Sequence, residues 1–281
     1  SWQNQTGGEE AGSSDGTSVL EKSFEAGTYG GVEFKSLEDV ANYYKEAYDY
    51  TKSLTAEYTN QEGKTETFYK LLGSEEINVG SVMIDGKENA VINKLVPGIV
   101  DGLFKPNIYG LVPCNNRNPK LDNSNTDEAN PGDKDFTKSY VTKDDILDAN
   151  ITDNGDGTIT MVIQPKAAEM SMRGEDSQGN FFEVLGDISG TVAQISVISF
   201  AQGTAEDNIK VTYKGGTVTC TIDTKTKEIT KAEYNMVAEV AVNHATVTVI
   251  KDKSASLSIS YKNTFPASDE YLKETKGVVR K

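Results

Sequence analysis

The residues that could serve catalysis in this chain of 281 residues are few, and their spacing favours no particular reaction. The segment GSSDG at 12–16 has the GxSxG spacing of a nucleophile elbow, which needs a strand before the serine and a helix after it. Here it lies in a stretch of Gly, Ser, Thr and acidic residues. A Ser–His–Asp triad would have to use His244, the only histidine, which lies where a turn is predicted. We therefore assign no catalytic residue and expect a protein that is not an enzyme.

Metal binding has no better support. The segment TDNGDGTITMVI at 152–163 resembles a calcium loop, but Thr152 and Ile163 occupy its first and last positions, where the ion needs carboxylates. The acidic group at 144–148 is of a kind that arises by chance among 43 Asp and Glu residues. We expect no metal site and no cofactor.

The two cysteines, Cys114 and Cys220, allow at most one internal disulfide. Cys220 lies in TVTCTID, where Val218, Cys220 and Ile222 share one face of a strand, so a buried free thiol is expected. A bridge is the alternative. With a single histidine, two thiols are too few ligands for a zinc site of nitrogen and sulfur.

The net charge of −15 and the lack of a Lys/Arg cluster argue against binding to nucleic acid. No run approaches the roughly 18 apolar residues that a membrane span requires. Residues 1–31 have the composition of a flexible tether. They resemble the segment that follows the lipidated cysteine of Gram-positive surface lipoproteins, which implies an extracellular, cell-surface protein anchored through a lipid outside this chain. A ragged terminus is the alternative.

Local patterns predict a single α+β domain over 32–270, with a polar insertion at 114–140 and a C-terminal tail at 271–281. Residues 36–54 predict an amphipathic helix that starts with a capping box of Ser36 and Asp39. Alternating segments predict two hairpins, 55–59 with 65–72 around Gln61-Glu62-Gly63-Lys64 and 146–151 with 158–163 around the Asn/Gly-rich turn at 153–157.

Two further segments have the apolar spacing of helices. Residues 88–104 carry apolar doublets every four residues, with Pro97 expected to kink or break the helix. Residues 180–195 carry apolar residues in steps of four and three, and Gly186 and Gly190 have a GxxxG spacing that suits close packing. These faces either belong to the core or leave room for an acyl chain.

Residues 208–265 alternate with period two, which predicts an antiparallel meander of five strands. Predicted turns include Asn243-His244 and Lys251-Asp252-Lys253. The third strand is long, so the sheet should be tall and curved, with one buried and one wet face. The predicted architecture is a long curved antiparallel sheet that wraps, or is covered by, two to three apolar helices.

The order of elements over 36–265, with the helix VINKLVPGIVDGLF and the strand AEYNMVAEVAV, resembles lipid-carrying proteins of the LolA/LppX and BPI/TULIP types. In these a curved sheet wraps helices around an apolar cavity. The resemblance implies a monomeric, non-enzymatic surface protein that binds a lipid or another hydrophobic small molecule. A surface module for a protein or glycan and a hydrolase with paired carboxylates stay open as alternatives. The candidate ligand-binding residues are Val91, Leu95, Ile99, Leu103, Phe104, Phe181, Leu185, Tyr234, Met236 and Val240.

Overall fold

Antiparallel strands dominate the computed structural model, which describes residues 16–94, 110–112, 137–247 and 249–281. The elements in chain order are β1 (Gly27–Tyr29), β2 (Val32–Phe34), α1 (Leu37–Ser53), β3 (Thr55–Asn60), β4 (Thr65–Tyr69), β5 (Ser74–Val79), β6 (Met83–Ile84), β7 (Lys87–Glu88), α2 (Ala90–Asn93), a 3₁₀ turn (Lys143–Asp145), β8 (Ile146–Asp153), β9 (Thr158–Pro165), β10 (Ala168–Glu169), α3 (Ser177–Phe181), α4 (Ser189–Ala193), β11 (Ile198–Phe200), α5 (Ala205–Asn208), β12 (Ile209–Tyr213), β13 (Thr217–Asp223), β14 (Ile229–Val247), β15 (Ile250–Phe265), α6 (Asp269–Lys276) and β16 (Val278–Arg280). The α+β class is confirmed.

The long strands β14 and β15 pair with each other at the centre of an eleven-stranded antiparallel sheet. On the other edge of β14, β13 pairs with residues 229–235, β12 with 238–242 and β11 with 245–247. Because β12 and β13 lie end to end along β14, the sheet has two parts. The core half contains residues 229–237 of β14 and 260–265 of β15, and the distal half contains residues 238–247 and 250–259.

The neighbours of β15 and β13 complete both halves. In the core half, β5 pairs with β15, and the hairpin of β8 and β9 extends the sheet beyond β13. In the distal half, β6 pairs with residues 255–256, and the two-residue strand β7 follows. The expected simple meander is therefore wrong, because β12 and β13 both pair with β14 and not with each other.

Two predicted turns are also wrong. Asn243-His244 lies inside β14, and Lys251-Asp252-Lys253 lies inside β15, so the five predicted strands become four. The register of the pair shifts on either side of Ala245, which marks β-bulges. His244 and Asp252 have φ angles of 53° and 50° there. Polar residues that accept positive φ serve turns and bulges alike, so the sequence pattern did not separate the two.

Helix α1 and both predicted hairpins are confirmed. The capping box is wrong in detail: the Ser36 side chain makes no cap hydrogen bond, and Asp39 Oδ2 accepts from the Lys35 amide at 2.7 Å. The buried stripe of α1 contains Val40, Tyr44, Ala47 and Tyr48 and lies over the core half. An apolar face 17 residues long thus closes this half.

The single helix predicted for 180–195 is wrong. The chain forms the short helices α3 and α4, with Gly186 at φ 68° between them. A Cβ added to Gly186 or Gly190 would meet no atom within 4 Å, so neither glycine serves close packing. Of the helix predicted at 88–104, residues 90–93 form α2 and residues 95–104 lie outside the described residues.

Segments near both ends of the described residues form structure beyond the eleven-stranded sheet. Residues 17–24 cross the outer face of β8 and β9, where Asp148 accepts hydrogen bonds from Ser18 and Phe24. At the other terminus, α6 and β16 form from the predicted tail, and β16 joins β3 and β4 in a three-stranded sheet around its own small core. Most of the predicted insertion, residues 114–136, lies outside the described residues, as do residues 1–15.

Candidate functional site

Aromatic side chains fill the inner face of the core half. The Tyr44 and Tyr234 hydroxyl oxygens lie 2.5 Å apart, and both side chains are fully buried. The Tyr44 ring also packs on Phe181, with ring centroids 5.4 Å apart. Beside them, burial raises the pKa of the free Cys220 thiol to about 12. The described side chains of this half form a packed core.

The inner face of the distal half carries an apolar cleft of about 130 Å³. Of the sixteen described residues that line it, fourteen are aliphatic and none is aromatic. They are Val82, Ile84, Ile92, Ile188, Val192, Ile198, Val240, Val242, Ala245, Val247, Ile250, Ala255, Leu257 and Ile259, with Lys253 and Ser256 as the polar members. A dry apolar cavity of comparable size holds a benzene-sized group in a well-studied engineered protein.

The bulges explain why the wall of the cleft is apolar up to its end. Side chains in a regular strand alternate between faces, so Val240 and Val242 share one face and Ala245 would point to the other. The extra residue at His244 reverses that alternation, and Ala245 and Val247 line the cleft as well. The bulges thus extend one apolar wall to the end of the hairpin.

Among the described residues, the segments that cover the distal half are shorter than the helix that covers the core half. They contribute Ile188 and Val192 from the region of α4, Ile92 from α2, and Val82 and Ile84 beside β6. The α4 side belongs to the main hydrophobic cluster, whereas Val82 and Ile92 form a separate small cluster. The cleft lies between the two clusters, where neither closes the sheet surface completely.

Lys253 is the only charged residue among the described residues that line the cleft. Its side chain is half exposed, and its Nζ lies 3.3 Å from Asp85 Oδ2. Asp85 Oδ1 also accepts from the Ser254 amide at 3.3 Å. A long lysine can place its methylenes along an apolar wall while its ammonium group reaches water. The ion pair thus leaves the wall itself without a buried charge.

The structure separates the predicted ligand-binding residues. Val240 lines the cleft. Phe181, Tyr234 and Met236 are buried in the core half, and Leu185 packs partly buried against the same cluster. Val91 is 62% exposed. Leu95, Ile99, Leu103 and Phe104 lie outside the described residues.

Most lining residues were missed by the sequence analysis. The alternation in ATVTVI and ASLSISY marked the inward side chains of both strands, including Val247, Leu257 and Ile259, but each was assigned only to a half-buried sheet. Ile188 and Val192 were placed on one long helix, whereas they belong to the short helix α4 and its N-cap. Local patterns show that a side chain is buried, whereas the gap between two clusters depends on the tertiary arrangement.

The described ranges show neither a cluster of metal ligands nor a histidine paired with a nucleophile. They contain no group of three or more His, Cys, Asp or Glu placed to hold a metal ion. His244 Nδ1 contacts Asp252, and no hydrogen bond links His244 to a Ser, Thr or Cys in this part of the chain. None of the helices in the described ranges is long and apolar enough to cross a membrane.

Comparisons with protein-family models, with curated proteins and with solved structures found no match. The cleft itself is therefore the basis for a functional proposal.

Proposed function

We propose that this chain is a non-enzymatic, cell-surface protein that binds the hydrocarbon chain of a lipid in the distal cleft. The observation that carries the proposal is the largely aliphatic wall formed by β14, β15 and their described cover. Ligand sites in proteins are concave and mostly apolar, and an aliphatic hollow beside a filled aromatic core matches that description. The predicted tether of 1–31 is too long, because residues 17–24 pack on β8 and β9 and residues 27–29 form β1. The Gly-, Ser- and acid-rich composition of residues 1–15 still supports a location at the cell surface.

The lining favours an alkyl chain over other hydrophobic molecules. The described lining residues include no aromatic ring on which a sugar or a planar ligand would stack. The wall offers no buried hydrogen-bonding group, so a polar atom placed there would lose its water without compensation. The polar end of the ligand must therefore stay outside, near the ion pair of Lys253 and Asp85.

The alternative function as a surface interaction module has less exposed sheet surface available than the sequence predicted. A surface module could use the polar outer face of the sheet, but residues 17–24 cover that face at β8 and β9. Gln164, which is fully buried there, accepts from the Val19 amide and donates to the Thr17 carbonyl. No described contact favours a hydrolase with paired carboxylates.

Organic extraction of the purified protein, followed by mass spectrometry, tests for a copurifying lipid. Binding of a homologous series of n-alkanols to the extracted protein then tests the cleft. Each buried CH₂ group contributes about 0.8 kcal/mol, so the affinity should rise about fourfold per methylene until the cleft is full. An extract without lipid, together with an affinity that does not depend on chain length, would refute the proposal.

A cleft-filling variant locates the site. Ala245 is 6% exposed and lines the cleft, so Ala245→Phe should shorten the chain length at which affinity stops rising. Thr230→Phe adds a ring on an exposed residue of the same strand and should leave the series unchanged. Equal effects of both substitutions would place any binding outside the cleft.

A further inference from the structure

Three exposed valines adjoin, in the chain, residues that line the distal cleft. Val249, in the turn between β14 and β15, is 82% exposed; Val91 in α2 is 62% exposed, and Val197, just before β11, is 45% exposed. Each is the immediate chain neighbour of an isoleucine that lines the cleft. Single exposed valines are ordinary on a protein surface, but three that adjoin the lining of one apolar cleft indicate a surface that another apolar phase covers.

Two of the three valines, Val249 and Val197, lie at one end of the sheet. Val249 lies in the turn between Val247 and Ile250, which form the last pair of the central hairpin. Ile198 pairs with Val247, so the residue before it lies beside the same end of the sheet. Val249 and Val197 thus lie at the tip of the hairpin whose strands line the cleft.

Electrostatics distinguish this end from the rest of the chain. Residues 82–94, 187–198 and 240–259 contribute the cleft lining and hold four lysines and four carboxylates, whereas the whole chain has a net charge of −15. The field of an acidic protein opposes its approach to a phosphate-bearing surface. A locally balanced end meets the least repulsion, and its lysines can reach phosphate groups.

We infer that the distal end docks on the surface of a phospholipid bilayer, with Val249 entering the headgroup region and the cleft facing the lipid from which it takes a chain. The inference rests on the proposed function and adds the source of the ligand. A protein partner would need directional polar contacts, whereas a bilayer requires only exposed aliphatic side chains and a tolerable charge.

Flotation with phosphatidylcholine vesicles tests the docking. The wild-type protein should float with the vesicles, and Val249→Asp should reduce binding by about tenfold or more, because a carboxylate replaces the side chain that enters the lipid. Val19→Asp is the matched control. Val19 is 47% exposed on the segment that crosses β9, and the substitution adds the same charge far from the cleft lining. It should change vesicle binding by less than about twofold.

A second measurement separates this inference from the proposed function. Uptake of a soluble fluorescent fatty acid, without vesicles, should be the same in wild type and Val249→Asp. Uptake without flotation of the wild type would overturn the docking and leave ligand binding in place. Flotation of Val249→Asp at the wild-type level, or a concentration-dependent dimer that Val249→Asp abolishes without vesicle binding, would also overturn it. Absence of uptake in every variant would remove the proposed function itself.

Discussion

His244 Nδ1 lies 2.8 Å from Asp252 Oδ1, and the two residues occupy facing bulges on neighbouring strands, each with positive φ. Between Val242 and Ala245, β14 has one residue more than its partner; between Ala245 and Val247, β15 has the extra residue. The two insertions compensate each other, so the hairpin regains its register at the pair of Val247 and Ile250. The side-chain contact connects the two insertions directly.

Replacing Asp252 with valine should destabilise the distal half. A β-branched residue tolerates positive φ poorly, so Asp252→Val should lower the free energy of unfolding by about 1–3 kcal/mol. Asp252→Asn accepts that backbone conformation and keeps a polar contact to His244, so it should cost less than about 0.5 kcal/mol. Urea denaturation measures both, and hydrogen exchange at β11 and β14 locates the loss. A valine variant as stable as the asparagine variant would contradict the role of the bulge.

Gly179 and Gly190 lie in helices of equal length and should respond oppositely to alanine. A Cβ at Gly179 would lie 1.9 Å from the Met172 carbonyl oxygen, so Gly179→Ala should cost about 1–3 kcal/mol or more. A Cβ at Gly190 meets nothing within 4 Å, and alanine there should stabilise by up to about 1 kcal/mol. Thermal unfolding of both variants checks the prediction, which fails if the two melting temperatures shift in the same direction.

The hydrogen bond of Tyr44 and Tyr234 should show as coupling in a double-mutant cycle. Tyr44→Phe removes one partner in a fully buried environment and should cost about 1–3 kcal/mol, as should Tyr234→Phe. The double variant loses both hydroxyl groups, so its cost should be smaller than the sum of the single costs. Chemical denaturation of the four proteins gives the coupling. Additive costs would mean that the two hydroxyl groups do not stabilise each other.

The buried tyrosines predict a loss of stability in alkali. Burial raises the pKa of Tyr234 well above its ordinary value of 10.0, and it also raises the pKa of Tyr261. Above pH 10 the unfolded chain releases these protons while the folded chain retains them. The contribution of these tyrosines to stability is therefore constant well below that pH and is lost as pH rises above it. Circular dichroism follows unfolding, and the difference in tyrosinate absorbance between wild type and Tyr234→Phe isolates one hydroxyl. Its ionisation in a chain with intact native circular dichroism would contradict the prediction.

Patterns with a clear period predicted much of this fold. The buried stripe of α1 and the alternation of Ala232, Tyr234, Met236 and Val240 in β14 were evident from the sequence, because burial repeats with the geometry of each element. The bulges were not, since His244 and Asp252 carry the signals of turn residues. The prediction of one helix at 180–195 was wrong. The apolar residues of this segment belong to two short helices and the chain between them, and their helical spacing is a coincidence.

The candidate site was less accessible to prediction than the fold. Of the predicted ligand-binding residues that the structure describes, Val240 alone lines the cleft. The sequence marked Phe181 and Tyr234 as apolar and inward, and they are, but they fill the core half. Whether an inward side chain meets a neighbour or a gap depends on how far each covering segment reaches, and that distance is absent from any local pattern.

The end-to-end placement of β12 and β13 has a mechanical consequence. Within the described residues, β14 and β15 are the strands that run through both halves of the eleven-stranded sheet. Bending of the hairpin tip is therefore transmitted to the aromatic core half mainly along two strands. We therefore expect the width of the distal cleft to vary more readily than the geometry of the contact between Tyr44 and Tyr234 beneath α1.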